Sequence, residues 1–305
     1  MNMKLLMIGG SGGLSGCLAR RAMEQGHEVW AVTRGKRPLP EGVHSICADR
    51  GDEEQFRLAL LGQGMKWDAA LDCICMKASH AQQDLAVLPE VTGRLVVIST
   101  DSVYDPLHKE VPQAENTDYY ERGEDYAGNK RRMEEVFLKD KTSGFCWTIF
   151  RPGHIYGPGF MLGCFPEHSR QPELLDHIRA GRPLRLVGGG KYLTQPIFVE
   201  DLAQCMLDCL DQQGTFNEIF CIGGPAAVPN REYYELIGKI TGHPVTFQEI
   251  PEKGYREAHP EYSGHLCDRS YSLDKLKHAG VKLPGTSLEE GLRNHITWLN
   301  QLHTS

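Results

Sequence analysis

Apolar and polar positions form blocks along the first half of the chain, where short apolar runs alternate with longer amphipathic stretches. Runs that are apolar throughout are typical of strands buried on both faces of a sheet. They predict strands over Lys4–Ile8, Glu28–Val32, His44–Cys47, Asp68–Cys75, Arg94–Ser99 and Cys146–Phe150, with a helix over Leu14–Glu24. Strands that alternate with helices indicate parallel βαβ units. We therefore predict the α/β class and a Rossmann-like, doubly wound parallel sheet.

The pattern changes after Arg151-Pro152, where glycine and proline breakers become frequent. Amphipathic segments there predict helices over Glu173–Ala180, Glu200–Asp211, Arg231–Thr241 and Ser287–Leu302. We predict a dinucleotide-binding domain over residues 1–152 and a smaller, mixed, mainly substrate-binding domain over residues 153–305. Segments at about 187–212 are expected to return to the main sheet.

Composition narrows the class of protein. The 305 residues carry a net charge of −7, and 40% of them are hydrophobic, which is ordinary for a globular chain. The acidic balance argues against a dedicated nucleic-acid binder, and no apolar run approaches the roughly 18 residues of a membrane span. The ten cysteines are scattered without a CxxC pair and without histidine or cysteine partners at ligand spacing. We expect free thiols in the cytoplasm and no metal site.

A glycine-rich turn follows the first predicted strand. Gly10, Gly13 and Gly16 fit the spacing G-x-x-G-x-x-G between a strand and a helix. A dinucleotide needs such a turn because its pyrophosphate lies close to the backbone and against a helix N-terminus. An ordinary strand–helix turn is the alternative interpretation. We predict cofactor contacts from Gly10, Ser11, Gly13, Leu14 and Gly16.

The residues after the second and third predicted strands bear on the choice of cofactor. NAD sites usually place a carboxylate after the second strand, to bind the ribose 2′-hydroxyl. This chain has Thr33-Arg34-Gly35-Lys36-Arg37 there, and Arg34 is suited to a 2′-phosphate. Asp49 and Arg50 follow the third strand and are assigned to the adenine side. We predict NADP or NAD, with NADP favoured.

Three further motifs follow in order: Ser99-Thr100-Asp101-Ser102-Val103-Tyr104, Tyr126-Ala127-Gly128-Asn129-Lys130, and Arg151-Pro152-Gly153-His154-Ile155-Tyr156-Gly157. With the glycine turn, they make the chain resemble the extended short-chain dehydrogenase/reductase family over nearly its whole length. This is the NAD(P)-dependent epimerase/dehydratase group, which acts largely on nucleotide sugars. The resemblance implies an enzyme, a sugar-like substrate and a homodimer paired through the helix that carries Tyr126.

The resemblance also implies roles for the motif residues. Tyr126 would exchange a proton with the substrate oxygen, Thr100 would orient that oxygen, and Lys130 would contact the nicotinamide ribose. Tyr126 and Lys130 are four residues apart, which places them on one helix face. A phenol has a pKa near 10, so a neighbouring ammonium would bring it closer to neutral pH. Further cofactor contacts are predicted from Ser99, Lys130, Pro152 and His154.

The chain also departs from the family's motifs. Ser102 stands where dehydratases have a glutamate, which disfavours dehydration. Thr194 and His154 stand where UDP-galactose 4-epimerase has an arginine and an asparagine, which disfavours UDP-sugar binding. Substrate contacts are predicted from Asp101, Ser102, His154 and Arg269.

Three functions stay open at the level of sequence. The first is an NAD(P)-dependent epimerase or oxidoreductase acting on a sugar or nucleotide-sugar. The second is an NADPH-dependent reductase of a keto-sugar or other carbonyl compound. The third is a non-catalytic nucleotide- or RNA-binding protein, because the chain also resembles an atypical branch that includes chloroplast stem-loop RNA-binding proteins. Retention of Tyr126 and Lys130, together with the acidic charge, argues against RNA.

Overall fold

The computed structural model describes residues 2–302. The strands in this range are β1 (Lys4–Ile8), β2 (Glu28–Thr33), β3 (His44–Cys47), β4 (Ala69–Asp72), β5 (Arg94–Ile98), β6 (Cys146–Pro152), β7 (Ile155–Tyr156), β8 (Leu184–Val187), β9 (Leu193–Thr194), β10 (Ile197–Phe198), β11 (Glu218–Ile222), β12 (Val228–Pro229) and β13 (Phe247–Ile250). The helices are α1 (Gly13–Glu24), α2 (Glu53–Leu61), α3 (Ala78–Val87), α4 (Tyr126–Leu138), α5 (Leu174–Arg179), α6 (Val199–Asp208), α7 (Asn230–Thr241), α8 (Glu252–Ala258), α9 (Asp274–His278) and α10 (Leu288–Leu302).

Seven parallel strands form the central sheet, in the order β11-β6-β5-β4-β1-β2-β3. The chain winds outward from β1 in one direction and then returns to β4 on its other side. Ligands of such sheets bind at this reversal, beyond the carboxyl ends of the strands. The predicted fold class, a doubly wound Rossmann-like sheet, is confirmed.

Alternating side chains of each central strand explain the continuous apolar runs. Leu5 and Met7 of β1 belong to a core that includes α1 and α6, whereas Leu6 and Ile8 belong to a core that includes α2, α3 and α4. All four side chains are fully buried. Helices on both faces therefore require apolar residues at every position of these strands.

The second half of the chain contributes a separate apolar core and also extends the main sheet. Strands β8 and β13 pair in parallel, and their side chains pack with those of α5, α7 and α10. Helix α6 packs on the main sheet, and β11, which lies beyond residue 212, pairs with β6. At the start of α10 the Ser287 hydroxyl accepts the Glu290 amide at 3.2 Å.

The strand predicted over Arg94–Ser99 ends one residue early, at Ile98, and the strand predicted over Asp68–Cys75 is too long by more. The prediction over Asp68–Cys75 fails after Asp72, because the Asp72 carboxylate accepts the amide of Ile74 at 2.6 Å and turns the chain out of the sheet. Cys73 and Cys75 therefore do not share a strand face. All ten cysteines are free thiols. Over residues 2–302, none of the helices combines the length and apolarity needed to cross a bilayer.

Candidate active site and cofactor cleft

The glycine-rich turn shapes a cleft at the carboxyl end of β1. Gly9 and Gly10 have φ values of +106° and +143°, which L side chains rarely adopt. A Cβ atom on Gly10 would lie 2.8 Å from the Ala31 Cβ atom. The Ser15 hydroxyl accepts the Gly12 amide at 3.0 Å where α1 begins. The turn is thus a backbone cradle leading into a helix N-terminus, which suits a pyrophosphate.

The other predicted turn residues lie deeper or face a neighbouring loop. A Cβ atom on Gly13 would lie 2.8 Å from both the Gly159 carbonyl oxygen and the Phe160 ring. Leu14 is 8% exposed and packs in the core between α1 and the sheet. Gly16 is buried within α1. Gly10 and Ser11 line the cleft itself.

The cleft is a cavity of about 410 Å³ whose far side is basic. Arg34, Lys36 and Arg37 line it beyond the end of β2. Asp49 also lines it, and its carboxylate accepts the Gly51 amide at 2.9 Å. The residues fit a dinucleotide, with three cations on the side where the adenosine ribose would lie.

Arg50 borders the cleft but is bound to the protein interior. Its guanidinium donates to Asp72 at 2.5 Å and to Asp84 at 2.8 Å, and all three side chains are buried. Burial alone would lower the pKa of Arg50, but the two carboxylates raise it above its ordinary value. Asp72, Cys75 and Asp84 are spaced like metal ligands, yet the Arg50 guanidinium bridges the two carboxylates there.

A second cavity, of about 490 Å³, lies beyond the ends of β5 and β6. Most of the catalytic and substrate residues predicted from the sequence line this cavity, together with three of the predicted cofactor contacts, one of which, His154, is also a predicted substrate contact. They are Ser99, Thr100, Asp101, Ser102, Tyr126, Pro152, His154 and Arg269. Segments far apart in sequence therefore meet around one space.

Tyr126 is the first residue of α4. The Asp125 carboxylate caps this helix by accepting the Gly128 amide at 3.0 Å, which fixes where Tyr126 enters the cavity. Desolvation raises the pKa of Tyr126 above its ordinary value. A hydrogen bond from Thr100 and the charge of Arg170 act in the opposite direction. Thr100 and Tyr126 thus line the same substrate space.

Lys130 lies beneath this space and is 1% exposed. Its ammonium donates to the carbonyl oxygens of Cys75 at 2.7 Å and Ile98 at 2.6 Å. Burial lowers the pKa of Lys130. The ammonium therefore fastens α4 to the end of β5.

Asp101 and Arg269, both predicted as substrate contacts, bind each other at 2.9 Å in the cavity wall. The Tyr271 hydroxyl also donates to Asp101, and the Lys109 ammonium lies 3.7 Å from it. Burial would raise the pKa of Asp101, but the charges of Arg269 and Lys109 lower it to about 2. Asp101 is therefore a carboxylate balanced by cations, which disfavours a role as a proton donor.

His154 follows β6 and lines the same cavity. Its Nε2 atom is buried and has no hydrogen-bond partner among residues 2–302. Burial lowers the pKa of His154 to about 3, and the charges of Arg170 and Arg269 add to this effect. A neutral imidazole with an unsatisfied ring nitrogen is therefore available to a ligand.

A buried ion pair supports the cavity from below. Arg151 donates to Glu134 at 2.8 and 2.9 Å, and the Ser99 hydroxyl donates to the same carboxylate at 2.6 Å. Burial favours the neutral acid, but Arg151 lowers the pKa of Glu134 below its ordinary value. These contacts fix the end of β5, from which Thr100 extends.

The residues of the cavity lining that the sequence reasoning missed include Arg170 and His265. Arg170 belongs to the loop after β7, and the His265 ring stacks on Phe165 with a centroid distance of 3.8 Å. Burial lowers the pKa of His265 to about 4. Both residues lie in segments without recognisable motifs, so the sequence carried no signal for them.

Comparisons with known proteins identify the family and the fold of the chain. The sequence profile of the NAD dependent epimerase/dehydratase family matches residues 5–223. The chain is 26% identical over 312 residues to the chloroplast stem-loop binding protein of 41 kDa b of Arabidopsis thaliana, covering 95% of this chain and 77% of that protein. It is 26% identical over 298 residues to the 2-alkyl-3-oxoalkanoate reductase of Stenotrophomonas maltophilia, covering 90% and 85%.

Solved structures share the fold. UDP-glucose 4-epimerase of Thermotoga maritima, crystallised with UDP-glucose, superimposes with a TM-score of 0.76 over 99% of this chain and 100% of that chain. The sequence identity is 19%, so the likeness concerns the fold alone.

Proposed function

The chain belongs to the NAD dependent epimerase/dehydratase family, whose members are enzymes, and we propose that it is an NADP(H)-dependent oxidoreductase of a sugar-type small molecule. The observation that carries the proposal is that Thr100 and Tyr126 line one cavity beside a dinucleotide cleft. When bound, the nicotinamide would supply or accept a hydride at the substrate carbon.

The protein's own part in this reaction is binding and proton transfer. Tyr126 gives a proton to the substrate oxygen during reduction and takes one during oxidation. Thr100 donates a hydrogen bond that orients this oxygen. Lys130 fixes the position of α4, and its charge favours the phenolate when the cofactor is in place. The Gly10 turn and the N-terminus of α1 would hold the pyrophosphate.

The choice of NADP(H) rests on the basic side of the cofactor cleft. Arg34 follows Thr33, where an NAD site would have a carboxylate, and guanidinium groups bind phosphate bidentately. An exchangeable cofactor that carries a 2′-phosphate suits a reductase, which must renew its cofactor at every turnover. We therefore favour reduction of a keto-sugar or a related carbonyl compound.

Epimerisation is the second candidate, because the same Thr100 and Tyr126 could oxidise a hydroxyl and reduce the resulting ketone from its other face. The family whose profile matches the chain includes epimerases by name, which supports this candidate. However, Thr194 lines the cavity where that reaction's relatives are expected to carry an arginine for the diphosphate. An epimerase would retain its nucleotide, so the identity of the bound nucleotide separates the two reactions.

RNA binding, suggested by the stem-loop binding relative, has weaker support. The basic runs Arg20-Arg21 and Lys130–Arg132 of this chain are partly engaged within the protein, and Arg34, Lys36 and Arg37 line the cofactor cleft. Lys130 is buried, Arg131 binds Glu134 at 3.0 Å, and Arg21 donates to Gln204 at 2.6 Å. Filter binding of a stem-loop RNA across a range of salt concentrations tests this candidate, and tight, salt-dependent binding would favour it.

Three further assignments belong to this proposal. Residues 1–152 would hold the cofactor, and residues 153–305 would mainly hold the substrate. A homodimer would form through α3 and α4, which sedimentation equilibrium would measure. The free thiols are in keeping with a reducing, cytoplasmic location.

The test of the proposal is NADPH consumption with a panel of keto-sugars and other carbonyl compounds. We expect turnover with at least one compound class. The Tyr126→Phe variant should lose at least about a thousandfold in kcat while binding NADPH as before. Full activity in that variant would overturn the mechanism.

A further inference from the structure

The loop between β7 and α5 lies against the start of α1 and lines the substrate cavity. Phe160 of this loop covers Gly13 at the start of α1, and the Arg170 guanidinium lies 4.8 Å from the centre of the Phe160 ring. Arg170 has a left-handed φ of +49°, and its amide donates to the Gly163 carbonyl at 3.3 Å. The loop thus holds the Arg170 side chain at the substrate cavity, which it lines together with Tyr126.

The charges around this cavity do not balance. Asp101 is the one carboxylate among the described lining residues, and it already binds Arg269 at 2.9 Å with Lys109 at 3.7 Å. Arg170 is exposed, and its side chain forms no ion pair or hydrogen bond with the residues that the structure describes. His154 and His265 are neutral at physiological pH, because burial lowers their pKa values to about 3 and about 4.

A second observation indicates that the cavity binds a polar ligand. The buried Nε2 atom of His154 has no protein partner within the described chain. Buried ring nitrogens are normally hydrogen-bonded, so a group of the ligand would complete this site. An excess of positive charge beside an unsatisfied donor or acceptor favours an anion over a neutral polyol.

We propose that Arg170 binds an anionic group of the substrate, a carboxylate or a phosphoryl group, close to the carbon that reacts beside Tyr126. This inference rests on the proposed function. The fork of a guanidinium matches the oxygens of either group, and the cavity-lining carboxylate that could compete for Arg170 is engaged by Arg269. The enzyme would then act on an acidic or phosphorylated compound, and Arg170 would determine its specificity.

Binding of simple anions tests this proposal without a known substrate. The full chain, saturated with NADP, is titrated calorimetrically with malonate, inorganic phosphate and neutral glucose at constant ionic strength. We expect the wild type to bind malonate or phosphate but not glucose. The stronger of the two anions identifies the group as carboxylate or phosphoryl.

Variants assign the binding to one residue. Arg170→Gln should weaken anion binding at least about tenfold, and Arg170→Lys should restore part of it. Arg182→Gln is the matched control, because Arg182 is exposed and lines neither cavity. Unchanged anion affinity in Arg170→Gln, or no anion binding by the wild type, would overturn the proposal.

The NADPH affinity of the wild type and of Arg170→Gln is compared as well. NADPH affinity should stay within about twofold in Arg170→Gln, since Arg170 lines the substrate cavity. A large loss of NADPH affinity with no change in anion affinity would place Arg170 on the cofactor instead, and the proposal would be wrong. Neither result affects the Tyr126 test, so the two proposals fail separately.

Discussion

The Lys130 ammonium lies 2.6 Å from the carbonyl oxygen of Ile98, two residues before Thr100. This bond joins the helix that begins with Tyr126 to the strand that leads to Thr100. The two hydroxyl groups of the site are therefore positioned relative to each other by a buried cation. The arrangement gives Lys130 a structural task in addition to the electrostatic role that its family implies.

Replacement of Lys130 by methionine should therefore reduce stability as well as activity. The carbonyls of Cys75 and Ile98 would lose a buried donor, which costs about 1–3 kcal/mol of unfolding free energy. Urea denaturation measures the stability, and NADPH consumption measures the activity. A variant with full stability would show that these contacts do not fasten α4.

Gly10→Ala should impair cofactor binding. Its φ of +143° strains any other residue, and the new Cβ atom would lie 2.8 Å from that of Ala31. We expect a loss of about 1–3 kcal/mol in stability and at least about tenfold in NADPH affinity. Gly254→Ala is the control, because a Cβ atom there meets nothing within 4 Å. Equal NADPH affinity in the two variants would show that the turn at Gly10 does not bind the cofactor.

Arg34→Gln should change the cofactor preference. Removal of the guanidinium is expected to weaken NADPH binding by about tenfold or more and to leave NADH binding within about twofold. Fluorescence titration with both nucleotides measures the ratio. If both affinities fell equally, Arg34 would contact a part common to both cofactors rather than the 2′-phosphate.

Acidification should destabilise the protein through its buried neutral histidines. His295 accepts the Gly157 amide at 3.2 Å and hydrogen-bonds the Phe160 carbonyl at 2.7 Å, and burial lowers its pKa to about 4. The unfolded chain binds protons near pH 6.5, so stability is fully present above about pH 6.5 and falls as the pH decreases toward about 4. His154 and His265 act in the same direction.

Urea unfolding at about pH 7.5 and about pH 5.5 should show a loss of about 1 kcal/mol for each of these three histidines. His295→Gln should reduce the difference by about one third, whereas His243→Gln, at an exposed position, should leave it unchanged. Equal stability at both pH values would mean that these imidazoles do not stay neutral in the folded chain.

The sheet could be predicted from the sequence because its strands are buried on both faces. Leu5 to Ile8 are apolar at every position for that reason, and β1 and β3 have the predicted bounds. The predicted strand at Asp68 begins one residue later, at Ala69. Its end depends on a single hydrogen bond from the Ile74 amide to Asp72. The family resemblance is confirmed by the match over residues 5–223.

The site was predictable only where local motifs carry it. Thr100 and Tyr126 stand in motifs, and the structure brings them to one cavity. The pairing of Arg269 with Asp101 joins residues that lie 168 positions apart, so only the folded chain reveals it. Arg170 carries no motif, and its place depends on the fold of the loop after β7, in which its guanidinium packs over the Phe160 ring. Its assignment as a ligand contact depends on the charges that surround it in the folded cavity.

The most direct test of the central claim, an exchangeable NADP(H) that serves hydride transfer, is the nucleotide content of the purified protein. The protein is denatured, any released nucleotide is identified by mass, and the native protein is titrated with NADPH and NADH. The account predicts no stoichiometric NAD and an NADPH affinity at least about tenfold above that for NADH. Stoichiometric, tightly held NAD would contradict it and would favour an epimerase that recycles its cofactor internally.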